Sequence, residues 1–555
     1  MISYASFIFL SLCLFHNVES SARIDPLVDT KVGLIRGLRS SNGQYSMFMG
    51  IPFGQVNASN PFGAASEYPH FNDVFEAYSD TSVCPQIYQF NNSVAGHLDC
   101  LRLNIYVPSS ATSKNRLPVM VWLYGGSFRR GFGGRVMFGP DFLVRHDVIL
   151  VTVNYRVGPY GFMCLDIPEV PGNQGLKDQF MGMRWIKDNI EAFGGDVNKI
   201  TLFGESAGAH SVELHVRSSK EKLYNKIIIQ SGSAVAATVL IPPDREAPIK
   251  LADKLGFSTN NVYDALAFLT SLDTNLVIAA SIELGFLFKP CVEREFEGVD
   301  SFITSSWIEA PVPKIANVPV MIGFNEHELM YDYVNKNDAN FNSLNIFSDY
   351  LDQAFDFNME KRQDLEKIIR HFYIGDEAIN KDVTWPLIHF DSDFTYIHPV
   401  QRSINKFIES AAGDVFYYMF SYSGERNFYK IYNNILEGGA SHADELGYLF
   451  NMSYLTEEPT HEDQLIIDRM TTMWTNFAKF SKPTPEATNL IPVVWTPVTN
   501  KSYNYLRIDT ELKVGSRPFN DRMAFWDLFY DMNRDAQKKF EPIEIRRMTQ
   551  SQGTL

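Results

Sequence analysis

Positive charge is scarce in this 555-residue chain. It carries 49 Lys and Arg against 65 Asp and Glu, which gives a formal net charge of −16. Nucleic acids and anionic membrane surfaces are bound largely through clustered basic side chains, so neither is an expected partner. Internal repeats and low-complexity linkers are missing as well. Nothing in the sequence divides the chain, and we expect one large domain.

Long apolar runs are also scarce. The apolar stretch at residues 7–15 is too short to span a bilayer, and small residues follow it at 19–22. This pattern is typical of a cleaved secretory signal, although Lys and Arg are missing before the apolar stretch. We therefore expect a signal peptide over residues 1–21, a folded unit over residues 22–555, and secretion to the extracellular space. No later segment could span a membrane and the C-terminal tail is polar, so no membrane anchor is expected.

Cysteine is rare, and the five cysteines include Cys13, which would leave with the signal peptide. In an oxidising compartment, Cys84 and Cys100 could form a local bridge, since they flank a polar stretch. Cys164 and Cys291 lie in apolar surroundings, and we expect buried free thiols there, with a second bridge as the alternative. Four Asn-X-Ser sequons are glycan candidates consistent with secretion: Asn57, Asn91, Asn451 and Asn500.

The most informative motif present is Gly-Glu-Ser-Ala-Gly at residues 204–208, which fits the pattern Gly-X-Ser-X-Gly. A strand-like run precedes it at 199–203, and a helix-like run follows at 209–215. A strand, a sharp turn and a helix form the context in which Ser206 would be a nucleophile held out at the top of a sheet. Glycines are needed because larger side chains would collide in so tight a turn. The alternative is an ordinary Gly-Ser turn.

Apolar runs alternate with helical stretches along the whole chain, which predicts an α/β fold with a large, mostly parallel sheet flanked by helices. Helices are predicted over residues 175–193 and 463–480 from apolar side chains that recur on one face. Further helical stretches are expected around 245–285 and 335–410. The predicted strands lie at residues 119–123, 148–153, 199–203, 227–229, 319–322 and 415–420.

A serine nucleophile needs a base and an acid that orients the base, in the chain order Ser, acid, His for this fold. Glu328 follows a predicted strand and is the candidate acid, with Glu326 as its rival. His442 lies in a glycine-rich segment, 437–446, and is the candidate base. The spacing of Glu326, His327 and Glu328 suits neither a helix face nor a chelating loop, so we expect no metal.

Acyl transfer also needs backbone N–H groups for the oxyanion that develops on the carbonyl. The predicted strand at 119–123 ends in a glycine pair, Gly125 and Gly126, where such donors would be offered. Ala207, at the start of the helix after Ser206, would supply another.

These motifs resemble those of the type-B carboxylesterase and cholinesterase family of α/β hydrolases over residues 25–528. Residues 171–179 and 441–446 are most similar to secreted insect esterases. Other matching motifs are Asp-Cys-Leu-Arg-Leu-Asn at 99–104, Phe-Gly-Gly-Asp at 193–196, Phe-Gly-Glu-Ser-Ala-Gly at 203–208 and Gln-Ser-Gly-Ser at 230–233.

The resemblance implies a serine esterase that cleaves small apolar esters through an acyl-enzyme, with no cofactor. It implies the catalytic residues Ser206, Glu328 and His442, the oxyanion-hole residues Gly126, Ser127 and Ala207, and the disulfide Cys84–Cys100. An apolar acyl pocket could include Leu284 and Phe286, for which plain core packing is the alternative. The rival functions are a catalytically slow binding or sequestering protein and an adhesion protein of the same fold.

The sequence departs from the family pattern at several positions. Ser127 stands where the family has a third glycine, and a loop with positive φ would strain it. Leu329 follows Glu328 where glycine is usual, and Leu98 replaces a second acidic residue. The tryptophan that stacks on choline is missing between the first two cysteines of the mature chain, so a choline ester is not expected. Hormone esterases tend to carry Gln at position 205, so Glu205 argues against a hormone ester.

Overall fold

An eleven-stranded mixed sheet lies at the centre of the chain in a computed structural model that describes residues 26–305 and 312–540. The predicted signal peptide, residues 1–21, lies outside the described residues. In chain order the strands of this sheet are β1 (Leu38–Arg39), β2 (Tyr45–Pro52), β3 (Arg102–Pro108), β4 (Leu117–Leu123), β5 (Ile149–Val153), β6 (Gly195–Glu205), β7 (Lys226–Gln230), β8 (Val320–Asn325), β9 (Val415–Phe420), β10 (Asn504–Ile508) and β11 (Lys513–Ser516).

The middle of the sheet is parallel and its edges are antiparallel. The spatial order is β11-β10-β9-β8-β7-β6-β4-β5-β3-β2-β1. All neighbouring pairs from β10 to β5 run parallel, whereas β3 pairs antiparallel with both β5 and β2. The six predicted strands correspond to β4 through β9, so the expectation of a large, mostly parallel sheet is confirmed.

Helices cover both faces of the sheet. The predicted helix at 175–193 forms as α4 and a short 3₁₀ turn, Ile190–Phe193. The predicted helix at 463–480 begins two residues earlier, because Thr460 and Asp463 form a capping box. No helix within the described ranges is long and apolar enough to cross a membrane. The helices are α1 (Arg135–Phe138), α2 (Asp141–Val144), α3 (Gly158–Phe162), α4 (Gln174–Asn189), α5 (Ala207–Arg217), α6 (Ala247–Lys254), α7 (Val262–Thr270), α8 (Thr274–Glu283), α9 (Asp338–Asn342), α10 (Ile346–Ala354), α11 (Met359–Ile374), α12 (Thr384–Ser392), α13 (His398–Glu409), α14 (Phe428–Tyr432), α15 (Leu446–Leu449), α16 (His461–Phe480) and α17 (Asn520–Met532).

Two apolar cores pack against the two faces of the sheet. Along β4, Met120 and Trp122 point into one core, and Val119 and Val121 point into the other. All four side chains are buried, as expected for a central strand that is covered by helices on both sides. The sheet is therefore a rigid support for the loops at its edges.

Two disulfides join the four cysteines of the described residues. Cys84 and Cys100 are bonded, as the resemblance implies. The expectation of free thiols at Cys164 and Cys291 is wrong, because these residues are bonded to each other across 127 positions. Both are buried, as their apolar surroundings indicated. Their Cα atoms lie 6.6 Å apart, a proximity that local sequence could not reveal.

The predicted catalytic and oxyanion-hole residues follow the carboxyl ends of parallel strands. Strand β4 lies between β5 and β6, so the connections on its two sides diverge there. Open α/β sheets bind ligands at such a crevice. Gly126 follows β4, Ser206 follows β6, Glu328 follows β8 and His442 follows β9.

Candidate active site

Ser206 occupies a sharp turn between β6 and α5. Its φ is 54° and its ψ is −123°, a conformation that a residue with a side chain rarely adopts. A Cβ at Gly204 would lie 2.6 Å from the Gly208 carbonyl carbon, and a Cβ at Gly208 would overlap the carbonyl oxygen of Leu123. The two glycines are therefore required by the turn, as the motif predicts for a nucleophile elbow.

Glu328 and His442 are in direct contact. The Nδ1 atom of His442 lies 2.6 Å from Oε2 of Glu328, and both side chains are buried. The backbone N–H of Asn325 donates to the other carboxylate oxygen at 2.8 Å. The backbone N–H of His442 donates to the backbone carbonyl oxygen of Glu328 at 2.9 Å, and this bond joins the two loops. Glu328 therefore orients the imidazole so that Nε2 faces away from it.

The rival acid, Glu326, points elsewhere. Its carboxylate lies 3.7 Å from the Arg507 guanidinium. His327, between the two glutamates, packs against the Trp385 and His389 rings. The side chains of Glu326, His327 and Glu328 thus point in different directions, so this arrangement does not bring them together around one metal ion.

Leu329 does not strain the loop after Glu328. Its φ is −102°, an ordinary value for a residue with a side chain. Its N–H donates to the Ser392 hydroxyl at 3.2 Å, and its side chain is buried. The backbone at position 329 therefore does not require the glycine that is usual in the family.

Two side chains lie close to Nε2 of His442. The Oε1 atom of Glu205 lies 3.1 Å from Nε2 but forms no hydrogen bond with it, because the two groups are not aligned for one. This carboxylate therefore acts on the ring mainly through its charge. The Tyr396 hydroxyl is 3.5 Å away. Burial raises the pKa of Tyr396, and a hydrogen bond with Ser206 opposes that rise. Among the described residues no direct hydrogen bond joins Ser206 to His442, but Tyr396 contacts both, so hydroxyl and imidazole share one cleft.

Buried charge surrounds the imidazole. Burial alone would lower the pKa of His442, but the carboxylates of Glu205 and Glu328 outweigh it and raise the pKa to about 9. Burial raises the pKa of Glu205 to about 8, and the positive charge of His442 opposes this rise. A third carboxylate, Glu445, accepts hydrogen bonds from Asn325 and Gln230. These acids stabilise the imidazolium that would form when a base accepts a proton here.

The loop after β4 packs directly on the nucleophile turn. A Cβ at Gly125 would lie 2.9 Å from Cβ of Ser206. Gly126 has φ of 114° and Ser127 has φ of 57°, so the strain expected at Ser127 is present. Within the described residues, no acceptor takes the backbone N–H of Gly126, Ser127 or Ala207. Three uncommitted donors beside a serine are suited to a developing oxyanion.

One of the two predicted acyl-pocket residues lies in a cavity beside this loop. Phe286 lines a cavity of about 200 Å³ together with Gly126 and Ser127. Leu284 is 40% exposed and does not line it. Leu284 is therefore outside this cavity, and its exposure also differs from the core packing that was the alternative.

Sequence reasoning missed several residues around the imidazole. Tyr396 lies in a π-helical turn, Asp393–Ile397, between α12 and α13, and its ring centroid is 4.6 Å from that of His442. The rings of Tyr331 and Tyr429 lie 6.4 Å and 6.2 Å from the imidazole. No motif marks these tyrosines, and all three lie outside the strands of the sheet.

Comparison with known proteins identifies the family. The profile of the carboxylesterase family matches residues 24–526. The chain belongs to the carboxylesterase family. Bile salt-activated lipase of Homo sapiens is 30% identical over 92% of this chain and 70% of the lipase. Esterase FE4 of Myzus persicae is 30% identical over 90% of this chain and 92% of its own length.

The crystal structure of juvenile hormone esterase from Manduca sexta has the same fold. It aligns with a TM-score of 0.79 at 24% identity, over 91% of this chain and all of that one. The predicted α/β-hydrolase fold and the resemblance to carboxylesterases are thus confirmed. Membership of the carboxylesterase family supports hydrolysis of carboxylic esters as the activity of this chain.

Proposed function

We propose that this carboxylesterase is a serine hydrolase in which Ser206 is the nucleophile, His442 the general base and Glu328 the acid that orients the base. The observation that carries the proposal is the 2.6 Å hydrogen bond between Glu328 and His442 in the cleft that holds the strained Ser206 turn. A serine hydroxyl attacks an ester only when a base removes its proton, and the base must present the correct tautomer.

In the first half-reaction, the Ser206 oxygen bonds to the ester carbonyl carbon while its proton passes to Nε2 of His442. The carbonyl oxygen becomes an oxyanion, which the N–H groups of Gly126, Ser127 and Ala207 stabilise. The tetrahedral intermediate then collapses. Its bond to the alcohol oxygen breaks, the alcohol leaves with the proton from Nε2, and an acyl-serine remains.

In the second half-reaction, a water molecule gives a proton to Nε2 and its oxygen bonds to the acyl carbon. The second intermediate collapses by breaking the bond to Ser206, which regains a proton from His442. The carboxylic acid product leaves and the enzyme is restored without a cofactor.

Tyr396 affects the proton transfer. Its hydroxyl interacts with Ser206 and lies 3.5 Å from Nε2 of His442. Catalytic hydrogen bonds commonly tighten only when substrate binds. The Ser206 proton therefore reaches Nε2 after closer approach of the two groups or by way of the Tyr396 hydroxyl.

The test is hydrolysis of 4-nitrophenyl butyrate by the mature protein and by Ser206→Ala, with Ser218→Ala at the other end of α5 as the matched control. We expect steady release of nitrophenol that is lost in Ser206→Ala and kept in Ser218→Ala. Turnover that survives Ser206→Ala would exclude Ser206 as nucleophile. A single burst equal to the amount of protein would instead favour the sequestering protein, for which the strain at Ser127 offers a reason.

We further propose that the protein is secreted and glycosylated at its sequons. Two disulfides are consistent with an oxidising compartment, and all four sequon asparagines are exposed. Expression of the full chain in insect cells should deliver the protein to the medium, with a loss of mass after treatment with a glycan-removing amidase. Retention inside the cells would contradict secretion, and an unchanged mass would contradict glycosylation.

A further inference from the structure

The cavity beside the predicted oxyanion loop has an apolar wall and a reactive edge. Its volume is about 200 Å³, enough for a short acyl chain. One edge is formed by Gly126 and Ser127, which directly follow the glycine that packs on Ser206, Gly125. The apolar wall comes from α8 and the segment that follows it: Ile278, Ile282, Phe286 and Phe288.

Two arginines line the same cavity. Arg129 and Arg130 are among its lining residues, and none of the lining residues is a carboxylate. Within residues 26–305 and 312–540, neither guanidinium has an ion-pair partner, although acids outnumber bases by sixteen in the chain. Arg129 is exposed, and Arg130 forms a side-chain hydrogen bond with Tyr429. A guanidinium carries five N–H donors, more than this one contact uses, so both arginines can bind an anion in the cavity.

The backbone fixes both arginines close to the reacting centre. The Gly126 carbonyl oxygen accepts hydrogen bonds from the N–H groups of Arg129 and Arg130, at 3.0 Å and 3.2 Å. The Phe128 carbonyl oxygen accepts a further bond from Gly158 at 2.7 Å. The turn that presents the oxyanion donors is thus the turn that presents the two guanidinium groups.

A third cation, Lys289, lies behind the cavity. Its ammonium donates to the Thr238 carbonyl oxygen at 2.7 Å. Burial lowers the pKa of Lys289, and the charge of Arg129 lowers it further, so these two groups are close together. The charge of Lys289 also acts on His210, one turn beyond Ser206 on α5. The positive potential therefore extends to the nucleophile helix.

We propose that this cavity is an anion subsite and that the enzyme acts on esters whose acyl part ends in an ionised carboxylate. This proposal rests on the serine esterase function proposed above. The apolar wall would hold the methylene chain between the ester carbonyl and the carboxylate, and Arg129 and Arg130 would bind the carboxylate. Guanidinium groups match the two oxygens of a carboxylate, and such charge-assisted hydrogen bonds are strong where water is partly excluded.

The test compares monoesters of dicarboxylic acids with neutral esters of equal length. The substrates are 4-nitrophenyl monoesters of succinic, glutaric, adipic and suberic acids, each beside the unbranched neutral acyl ester with the same number of carbons. The measured quantity is the ratio of kcat/KM for the acidic ester to kcat/KM for its neutral partner. In the wild-type enzyme we expect a ratio above one with an optimum at one chain length.

Arg129→Gln and Arg130→Gln should each lower that ratio by about tenfold, the effect of removing one charge-assisted hydrogen bond. Arg145→Gln is the matched control, because its guanidinium pairs with Asp468 on the surface and it should leave the ratio unchanged. Arg129 is exposed, so its replacement removes no core packing.

The outcomes separate this proposal from the one on which it rests. If no ester is cleaved by wild type, the proposed function fails. If neutral esters are cleaved and acidic ones are not preferred, only the anion subsite is overturned. The preference for acidic esters could also be equal at all chain lengths and be abolished by 0.5 M salt in wild type and variants alike. This result would indicate non-specific electrostatic attraction and would also overturn the anion subsite.

Discussion

Ser127→Gly tests whether the serine in the oxyanion loop limits catalysis. Ser127 is held at φ of 57°, a left-handed conformation that costs a residue with a side chain about 1 kcal/mol or more. Glycine removes that strain but loses about 0.5–1 kcal/mol through the greater entropy of the unfolded chain. The two effects nearly cancel, so the free energy of unfolding should change by less than about 1 kcal/mol.

Turnover should change much more than stability. Glycine takes the Cβ away from the oxyanion and lets the N–H at position 127 turn toward it. Loss of a whole oxyanion donor typically costs about 10²–10³ in kcat, and restoring the alignment of one donor should recover a part of this, about tenfold. The donor acts on the transition state, so kcat should rise while KM changes little.

Ser481→Gly provides the matched control. Ser481 ends α16 at φ of 60°, with the same side chain in the same backbone conformation far from the cleft. Steady-state hydrolysis of 4-nitrophenyl butyrate and thermal unfolding would be measured for both variants. The reasoning is refuted if Ser127→Gly leaves kcat unchanged or lowers it while both variants unfold at about the wild-type temperature.

Two further predictions concern the charge around His442 and the long disulfide. The carboxylate of Glu205 raises the pKa of His442, so Glu205→Gln should lower that pKa and move the acidic limb of the kcat/KM–pH profile to lower pH. Glu326→Gln is the control for this variant. If the acidic limb of Glu205→Gln coincides with that of wild type, Glu205 does not raise the pKa of His442. Replacing both Cys164 and Cys291 by Ala opens a closed loop of 127 residues and should destabilise the fold by up to about 5 kcal/mol, against about 3 kcal/mol for the Cys84 and Cys100 pair. Denaturant unfolding would measure both double variants, and the reverse order would argue against loop closure as the source of stability.

The central strands and the nucleophile turn could be predicted because their signals are local. Strand β7, with Ile227 to Ile229 apolar on both faces, is distinct from any surface segment. Near one edge of the sheet, β10 mixes buried with half-buried residues and β11 is largely exposed, and neither contains a comparable run. Gly204 and Gly208 are specified by the turn itself, which is why five residues suffice to indicate it.

Features that depend on distant contacts could not be predicted in the same way. The choice of Glu328 over Glu326 depends on which carboxylate turns toward the imidazole, two residues apart on one loop. Tyr396 reaches His442 from a π-helical turn in an excursion of the chain that no motif marks. The cysteines of the second disulfide lie in irregular segments 127 positions apart, so only the fold of the whole chain brings them together.

The second disulfide has a consequence for selectivity. Each of its cysteines closely follows a residue that lines the cavity of about 200 Å³: Pro159 precedes Cys164, and Phe288 precedes Cys291. The covalent link therefore limits how far these two lining segments can separate. A reduced molecule should accept bulkier acyl groups before it loses the ability to cleave small ones, which a comparison of short and branched esters under oxidising and reducing conditions would reveal. The oxidation state of this disulfide would then determine which substrates fit.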